Sequence, residues 1–380
     1  MGRLSRAELQ ERNRAKVLVA ARDEFSEHGF REAKIDRIAQ RAGLTRGAVY
    51  SNFPGKRGLY FAVLAEDAER VGDLEPAAEP GRTVREALAA FARAWVVRLP
   101  LAGDEQDGTT RLATDLMPEV LADERTRRPF AQLMKLDALL LGLALERLDP
   151  GRPAGSRLVG VAEAALTTLH GASGLSAAAP GFVEIFNVVS ACGQLSGLEL
   201  DDVWAPPHLP YVPRAQPADE PWNPPPATDA IRGGPARLAG DGAGDGVVAV
   251  LGLHRLAAAE EAVRAAPAGA EVTAVLVTGD PGELAPLARL AVADLTRCLR
   301  RAFPPSAWPR LQVVHDERGA LAAAAGVPAV SDGTEAAVRV SGGRIVARAD
   351  GRGACHAAAS AVETAETADA VEAYFGNGHP

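Results

Sequence analysis

The chain has 380 residues, a length of two or three domains, and its 47% hydrophobic and 24% charged content is that of a globular protein. A formal net charge of −8 excludes a uniformly nucleic-acid-binding surface. Three scattered cysteines, Cys192, Cys298 and Cys355, with no CxxC spacing, exclude a disulfide framework and a zinc ribbon.

The charge is unevenly divided. Residues 1–60 carry 13 Lys and Arg against 7 Asp and Glu, a net +6 that leaves −14 on the remainder, which is the pattern of a basic reader on an acidic body. The N-terminal MGRLSRAELQERNRAK is too charged for a signal peptide, and no apolar run approaches the roughly 18 residues of a membrane span. The expectation is a cytoplasmic protein.

Residues 1–11 read as a polar arm in which Arg3 and Arg6 could follow a phosphate path. A helix is expected from about Arg12 to His28, with Val17, Ala20, Ala21 and Phe25 at helical spacing and Gly29 as its stop. In the next stretch, IDRIAQRAGLTRGAVYSNFPGKRGLY, Ile35, Ile38, Ala39 and Ala42 fall at i, i+3, i+4 and i+7 on one helical face. Gly43 turns the chain, Thr45 is a good N-cap, and a second short helix runs from Arg46 to Asn52 until Pro54-Gly55. Two helices joined by a short Gly-containing turn form a helix-turn-helix, whose second helix enters the DNA major groove. Arg46, Tyr50, Ser51 and Asn52 can hydrogen-bond base edges or phosphates, while Gly47 and Ala48 let the helix approach closely. Lys56 stands at the start of the following helix, where its ammonium and the backbone N–H groups could grip one phosphate.

On the stretches VLVAARDEFSEHGF and IDRIAQRAGLTRGAVYSNFPGKRGLYFAVL, residues 12–64 resemble the DNA-binding domain of the tetracycline-repressor (TetR) family. One departure stands out. The family has Thr or Ser just before the apolar residue that opens the second helix; here Ala33-Lys34 stand there, so Lys34 would offer phosphate a charge in place of a hydroxyl. The resemblance implies a helical homodimer that binds a palindromic operator in double-stranded DNA. It also implies release when a small ligand enters the larger domain. The DNA-binding set is then Lys34, Thr45, Arg46, Gly47, Ala48, Tyr50, Ser51, Asn52 and Lys56.

Boundaries are expected at 1–60 for the helix-turn-helix domain and 61–200 for a helical ligand-binding and dimerisation domain. The latter contains VREALAAFARAWVVRL, a region near Arg111–Leu121, PFAQLMKLDALLLGLALERL, SRLVGVAEAALTTLHGASG and GFVEIFNVVSACGQLSG. By the resemblance, Phe91, Trp95, Met117, Phe130, Met134 and His170 are candidate pocket walls, although such stripes are commonly plain core. The last two helices are apolar on more than one face and rich in small residues, so they are assigned to pairing with a symmetry mate, with Ala165 and Ala191 at the interface.

Residues 201–236 hold ten of the 27 prolines and read as a linker that Trp204, Tyr211 and Trp222 could pin to a surface. The run GDGAGDG is read as a flexible lead-in to the strand GVVAVLGL. Beyond it the pattern becomes β-α-β-α-β-α-β-β-α, an α/β domain over 237–380 with a hairpin through Gly342-Gly343 and a last helix from about Ala354 to Tyr374. On HDERGALAAAAGV and VRVSGGRIVARADG this part resembles thioredoxin-like domains, namely peroxiredoxins and the cysteine-free tail of flavin-dependent aromatic hydroxylases. The helix after the first strand, where a redox thiolate belongs, opens with Leu253-His254-Arg255-Leu256 and has no cysteine. Cys355 beside His356 at a helix start is the remaining thiol candidate. The alternative reading is a redox- or peroxide-handling module tethered to a DNA reader. No catalytic residue, cofactor or metal site is assigned. The fold class is thus multidomain: an all-α helix-turn-helix and helical domain followed by an α/β thioredoxin-like domain.

Overall fold

The computed structural model describes residues 5–71, 79–99, 115–153, 155–207, 212–238 and 244–361. Arg3, Tyr211, most of the GDGAGDG run, part of the expected Arg111–Leu121 helix and the expected last helix beyond 361 lie outside the described residues; the helix that opens at Ala354 ends at Ala359, short of the expected span. The chain divides into two compact units. One is helical and takes in 1–204 and 280–309; the other holds the sheet and takes in 205–279 and 310–380.

The helical unit begins with α1 (Arg6–Glu32), α2 (Ile35–Ala42), α3 (Arg46–Asn52) and α4 (Lys56–Val71). Helix α1 starts earlier than the apolar spacing alone suggests because Ser5 and Glu8 form a reciprocal capping box. Gly29 (φ 70°) interrupts it where expected, and the chain continues helically to Glu32. Four more helices follow, α5 (Val84–Val96), α6 (Leu116–Leu121), α7 (Glu124–Leu148) and α8 (Val159–Ala178), then α9 (Ile185–Gln194). Thr83 and Glu86 close a second capping box on α5, and Asp123 caps α7.

A further helix, α11 (Leu284–Ala302), belongs to the helical unit although its sequence lies between two strands of the sheet unit. It packs along α4 and against α5 and α7. Its buried stripe, including Leu287, Leu290, Ala291, Leu295 and Leu299, recurs at 3–4-residue steps. The bond from Arg289 to Glu69 on α4, at 2.6 Å, and the Gly81 N–H donated to the Ala302 carbonyl at 2.9 Å hold its two ends. The apolar pattern of this segment was legible, but its assignment to a separate α/β domain at 237–380 differs from what the fold shows.

In the sheet unit, β4 (Gly246–Gly252), β5 (Glu271–Val277) and β6 (Gln312–His315) run parallel, while β7 (Glu335–Ser341) and β8 (Arg344–Asp350) are antiparallel. With β1 (Gln216–Pro221) at one edge, the sheet order is β1-β8-β7-β4-β5-β6. Short helices α10 (Ala259–Ala265), α12 (Ala320–Ala324) and α13 (Ala354–Ala359) accompany it. The central strands are Val-rich and buried along nearly their whole length, as strands covered on both faces must be. Val248, Val250, Val275, Val277, Val338 and Val340 form one core with Leu321 and Trp222. The hairpin turns at Gly342 (φ 54°) and Gly343 (φ 76°), the two positive dihedrals that a tight turn between right-twisted strands requires.

Residues 201–236, read as a linker, carry structure. Strand β1 (Gln216–Pro221) joins the sheet edge against β8, β2 (Thr228–Asp229) pairs with β3 (Gly234–Pro235), and Trp222 and Ile231 are buried. The prolines are compatible because an edge strand can spare ladder donors. Buried Asp229 accepts from the Val313 and Ile231 N–H groups and fixes the segment beside β6.

Candidate nucleic-acid interface

The small core beneath the interface consists of Val17, Ala20, Ala21 and Phe25 from α1 with Ile38, Val49 and Phe53, each at most 4% exposed. Ile35, grouped with them from spacing, is only half-buried. Phe25 meets Tyr60 of α4 edge-on at 5.4 Å, and Phe30 lies 5.0 Å from the same ring. Spacing alone did not reveal the role of Glu24. Its fully buried carboxylate sits 2.7 Å from the Arg37 guanidinium, 3.5 Å from that of Arg41, and accepts from the Lys34 N–H. A buried carboxylate held by two guanidinium groups and a backbone donor welds α1 to the start of α2. The sequence signal was an acid, Glu24, one turn before His28 with Arg37 and Arg41 spaced i, i+4 opposite.

Helix α2 ends on Gly43 (φ 64°), and the Leu44 N–H closes back on the Ala39 carbonyl. This left-handed cap fixes the angle at which α3 departs. The Thr45 hydroxyl accepts from the Ala48 N–H at 3.2 Å and so caps α3. On α3 only Val49 is buried, so the remaining side chains form one outward edge. Thr45, Arg46, Gly47, Tyr50 and Ser51 are exposed and neighbouring; Ala48 and Asn52 are half-buried. The Ser51 hydroxyl and the Asn52 amide both donate to the Ala48 carbonyl, at 2.9 and 2.8 Å. Arg46 lies 5.5 Å over the Tyr50 ring, donates to its hydroxyl at 3.5 Å, and pairs with Asp36 at 3.5 Å.

Lys34 and Lys56 are placed differently. Lys34 is exposed at the cap position of α2 and makes no side-chain cap bond there. Lys56 is half-buried: its ammonium donates to the Arg31 carbonyl at 3.0 Å and lies 4.6 Å over the Phe30 ring. Burial pushes this ammonium below the ordinary lysine value, opposed by the charges of Glu119 and Glu32. One of its three N–H donors therefore fastens α4 to the end of α1.

The expected pocket walls separate into two groups. Trp95, Phe130, Met134 and His170 line one cavity, together with Leu116, Asp137 and the α11 residues Leu287, Leu290, Ala291, Asp294 and Leu295. Phe91 is fully buried and stacks on Trp95 as plain core, and Met117 stands outside the cavity lining. Asp137 and Asp294 were not anticipated; the signal for the first was one acid inside the apolar run KLDALLLGLALERL. In the two helices expected to pair, Ala165 is 1% exposed, whereas Ala191 is exposed. The large exposed apolar groups nearby are Phe182, 70% exposed, and Phe186, 83% exposed. The three thiols are buried, and burial raises each of them, Cys192 to about 11. Among the described residues no cluster of His, Cys, Asp or Glu is arranged to hold a metal ion, and no helix is long and apolar enough to cross a membrane.

Known proteins resemble this chain at its N-terminal end. Residues 17–63 match the tetR family of bacterial regulatory proteins. The HTH-type transcriptional repressor AcnR of Corynebacterium diphtheriae is 37% identical over 71 residues, 19% of this chain and 37% of that one. The HTH-type transcriptional regulator SrpR of Pseudomonas putida is 45% identical over 65 residues, 17% of this chain and 30% of its own. The chain thus spans about a third of the length of these relatives. The solved structure of NalD, the secondary repressor of the MexAB-OprM multidrug efflux pump in Pseudomonas aeruginosa, is 22% identical, covers 48% of this chain and 93% of NalD, and superimposes with a TM-score of 0.32. The match, with the α2–turn–α3 geometry it falls on, identifies residues 17–63 as a tetR-family domain of the bacterial regulatory proteins.

Proposed function

We propose that the protein is a ligand-responsive transcriptional regulator, a repressor in its simplest form, that binds a palindromic operator as a homodimer. The observation that carries this reading is α3: a helix capped by Thr45, anchored by Val49 alone, and bare along an edge of Arg46, Gly47, Tyr50 and Ser51. Such an edge fits a major groove, where small residues admit the helix and Arg46 is suited to a guanine edge. The net +6 on residues 1–60 supplies attraction to phosphate. Exposed Lys34 extends it, and Lys56 joins it through the donors left after its bond to Arg31.

Dimerisation is assigned to α8 and α9 with the segment between them. Phe182 and Phe186 expose more apolar area than an isolated protomer favours, and a second copy supplies the cover. The sheet unit is read as a thioredoxin-like module without redox chemistry. Parallel β4 and β5 flanked by the β7–β8 hairpin support the fold, and the buried, raised thiol of Cys355 argues against the peroxide-handling alternative.

Selection of bound duplexes from a random library tests the reading. Enrichment of one inverted-repeat sequence by the full chain supports it; a pool that stays random overturns it.

A further inference from the structure

Helix α11 is the crossover between β5 and β6, neighbouring parallel strands joined in register from Thr273 opposite Gln312 to Leu276 opposite His315. A crossover helix ordinarily covers a face of its own sheet. This one is built into the helical unit, and the connections that tie it to the strands are short, residues 278–283 and 303–311. The turn that opens it falls on the segment that directly follows α3. That helix ends at Asn52, Phe53 is buried, and Pro54 to Gly58 lead into α4. A Cβ on Gly282 would overlap the Pro54 ring, and one on Gly58 would overlap the Gly282 carbonyl. The turn is internally fixed: Asp280 accepts from the Glu283 N–H at 3.2 Å through its carboxylate and from the Leu284 N–H at 2.9 Å through its carbonyl. The Glu283 carboxylate accepts from Arg57 at 2.8 Å, and Arg57 also donates to Asp123, the N-cap of α7, at 2.9 Å. These are charge-assisted bonds between partly buried groups, stronger than pairs in open solvent.

Farther along, Arg289 bonds Glu69 of α4 at 2.6 Å, and Asp294 bonds Arg98, just past α5, at 2.9 Å. The cavity beside Trp95 and Asp137 holds about 20 Å³, room for one water molecule, and Leu287, Leu290, Ala291, Asp294 and Leu295 of α11 line it. Enlarging that space displaces a wall, and α11 supplies more of the wall than any other helix. We infer that α11 is a brace through which the sheet unit sets the angle of the reading head, and that Glu283 is a positioning residue for α3, acting through Arg57. A displacement of β5 or β6 carries the 280–283 turn with it. That turn abuts backbone at Gly58 and a ring at Pro54, neither of which can swing aside, so the push passes to the end of α3. The sheet unit is thereby a regulatory input to DNA binding.

The matched region ends at residue 63, so α11 is an addition to the family's domain and not a part of it. The inference rests on the DNA-binding function proposed above for its regulatory meaning. One arm of its test uses no DNA, so the two fail separately.

The experiment uses the full chain, the duplex it selects and a scrambled duplex, with affinity read by fluorescence anisotropy and local opening by hydrogen exchange. Glu283→Ala should weaken the selected duplex about fivefold or more and leave the scrambled duplex no weaker. Removing an acid favours DNA binding by charge alone, so a loss of affinity marks positioning. Glu283→Gln removes the same charge but keeps an oxygen for Arg57, and should bind about threefold or more tighter than Glu283→Ala. Because coupling is reciprocal, the selected duplex should also slow exchange in α11, β5 and β6 by about threefold or more. Equal affinities of the wild type and the Ala and Gln variants for the selected duplex would overturn the inference, and so would exchange that slows in the head alone. In the DNA-free chain, Gly58→Ala presses on Gly282 and should change exchange in β5 and β6 by about threefold or more. Strands that exchange as in the wild type would overturn the inference. Should Gly58→Ala fail to fold, Arg57→Ala, which removes the bonds to Glu283 and Asp123, is read in the same way. A full chain that selects no duplex would refute the proposed function, and the DNA-free arm would then decide the inference by itself.

Discussion

Arg46 is held by Asp36 at 3.5 Å and by the Tyr50 hydroxyl, so on the proposed function its guanidinium must leave an exposed ion pair before it can read a base. Exposed pairs are weak, which makes this exchange inexpensive. Arg46→Ala should cost roughly 1–3 kcal/mol of operator binding and relax preference at one base pair of each half-site. Tyr50→Phe should weaken binding without changing preference; an unaltered selected sequence for Arg46→Ala would reassign Arg46 to phosphate. On the proposed function Lys56 has two duties, the bond to Arg31 and a phosphate contact. Lys56→Ala should lower head stability by about 1 kcal/mol through the lost bond to Arg31 and flatten the log affinity–log salt slope by about 1 per monomer. A melting shift with no change in slope would leave Lys56 as a fastener only. At Asp137 the sign of the pH effect follows from its raised carboxyl. Stability from that neutral group is fully present below the unfolded carboxylate value of about 3.9 and is lost as pH rises through the folded value. Thermal melts of Asp137→Asn should therefore gain on the wild type as pH increases, and a constant difference across pH would show that the folded carboxyl titrates as it does in the unfolded chain.

Elements with strong periodicity and explicit stop residues were readable from the chain. The α3 limits, Arg46 to Asn52, follow from Thr45 and Pro54, and the β7–β8 hairpin follows from Gly342-Gly343. Other features depend on contacts that no local pattern encodes. Ser5 and Glu8 lengthen α1 by a capping box whose S-x-x-E spelling was visible but overshadowed by the apolar spacing. Glu24 gains its role only when α2 folds back on α1. For α11, an amphipathic stripe says that one face is buried, and not against what; its partners are α4, α5 and α7. Just before that helix the chain passes close to α4, where a Cβ on Gly58 would stand 2.1 Å from the Gly282 carbonyl oxygen. Beside it Arg57 bonds both Asp123 and Glu283, at 2.9 and 2.8 Å. Gly58→Ala should destabilise the helical unit by about 1–3 kcal/mol, because backbone cannot move aside as a side chain would. A melt indistinguishable from the wild type would mean that α4 and the 280–283 segment separate at little cost.

For the whole molecule, the decisive inference is pairing. The proposed pairing through α8 and α9 rests on their excess of apolar surface, and the structure shifts the residues proposed to carry it from Ala165 to the exposed Phe186. Ala165 already packs inside its own protomer, so Ala165→Glu would unfold the unit and say nothing about association, whereas Phe186 is 83% exposed. Phe186→Asp should yield a folded monomer with specific DNA affinity reduced at least about 100-fold, since one recognition helix buries too little surface to select a site. A dimer by light scattering with normal binding would move the interface elsewhere. The measurement that bears most directly on the central claim is the mass of the complex on its selected duplex, by native mass spectrometry. Two chains on one duplex, with half-sites about one helical turn or a simple multiple apart, is the expected result. A single chain bound to a site without internal symmetry would contradict it.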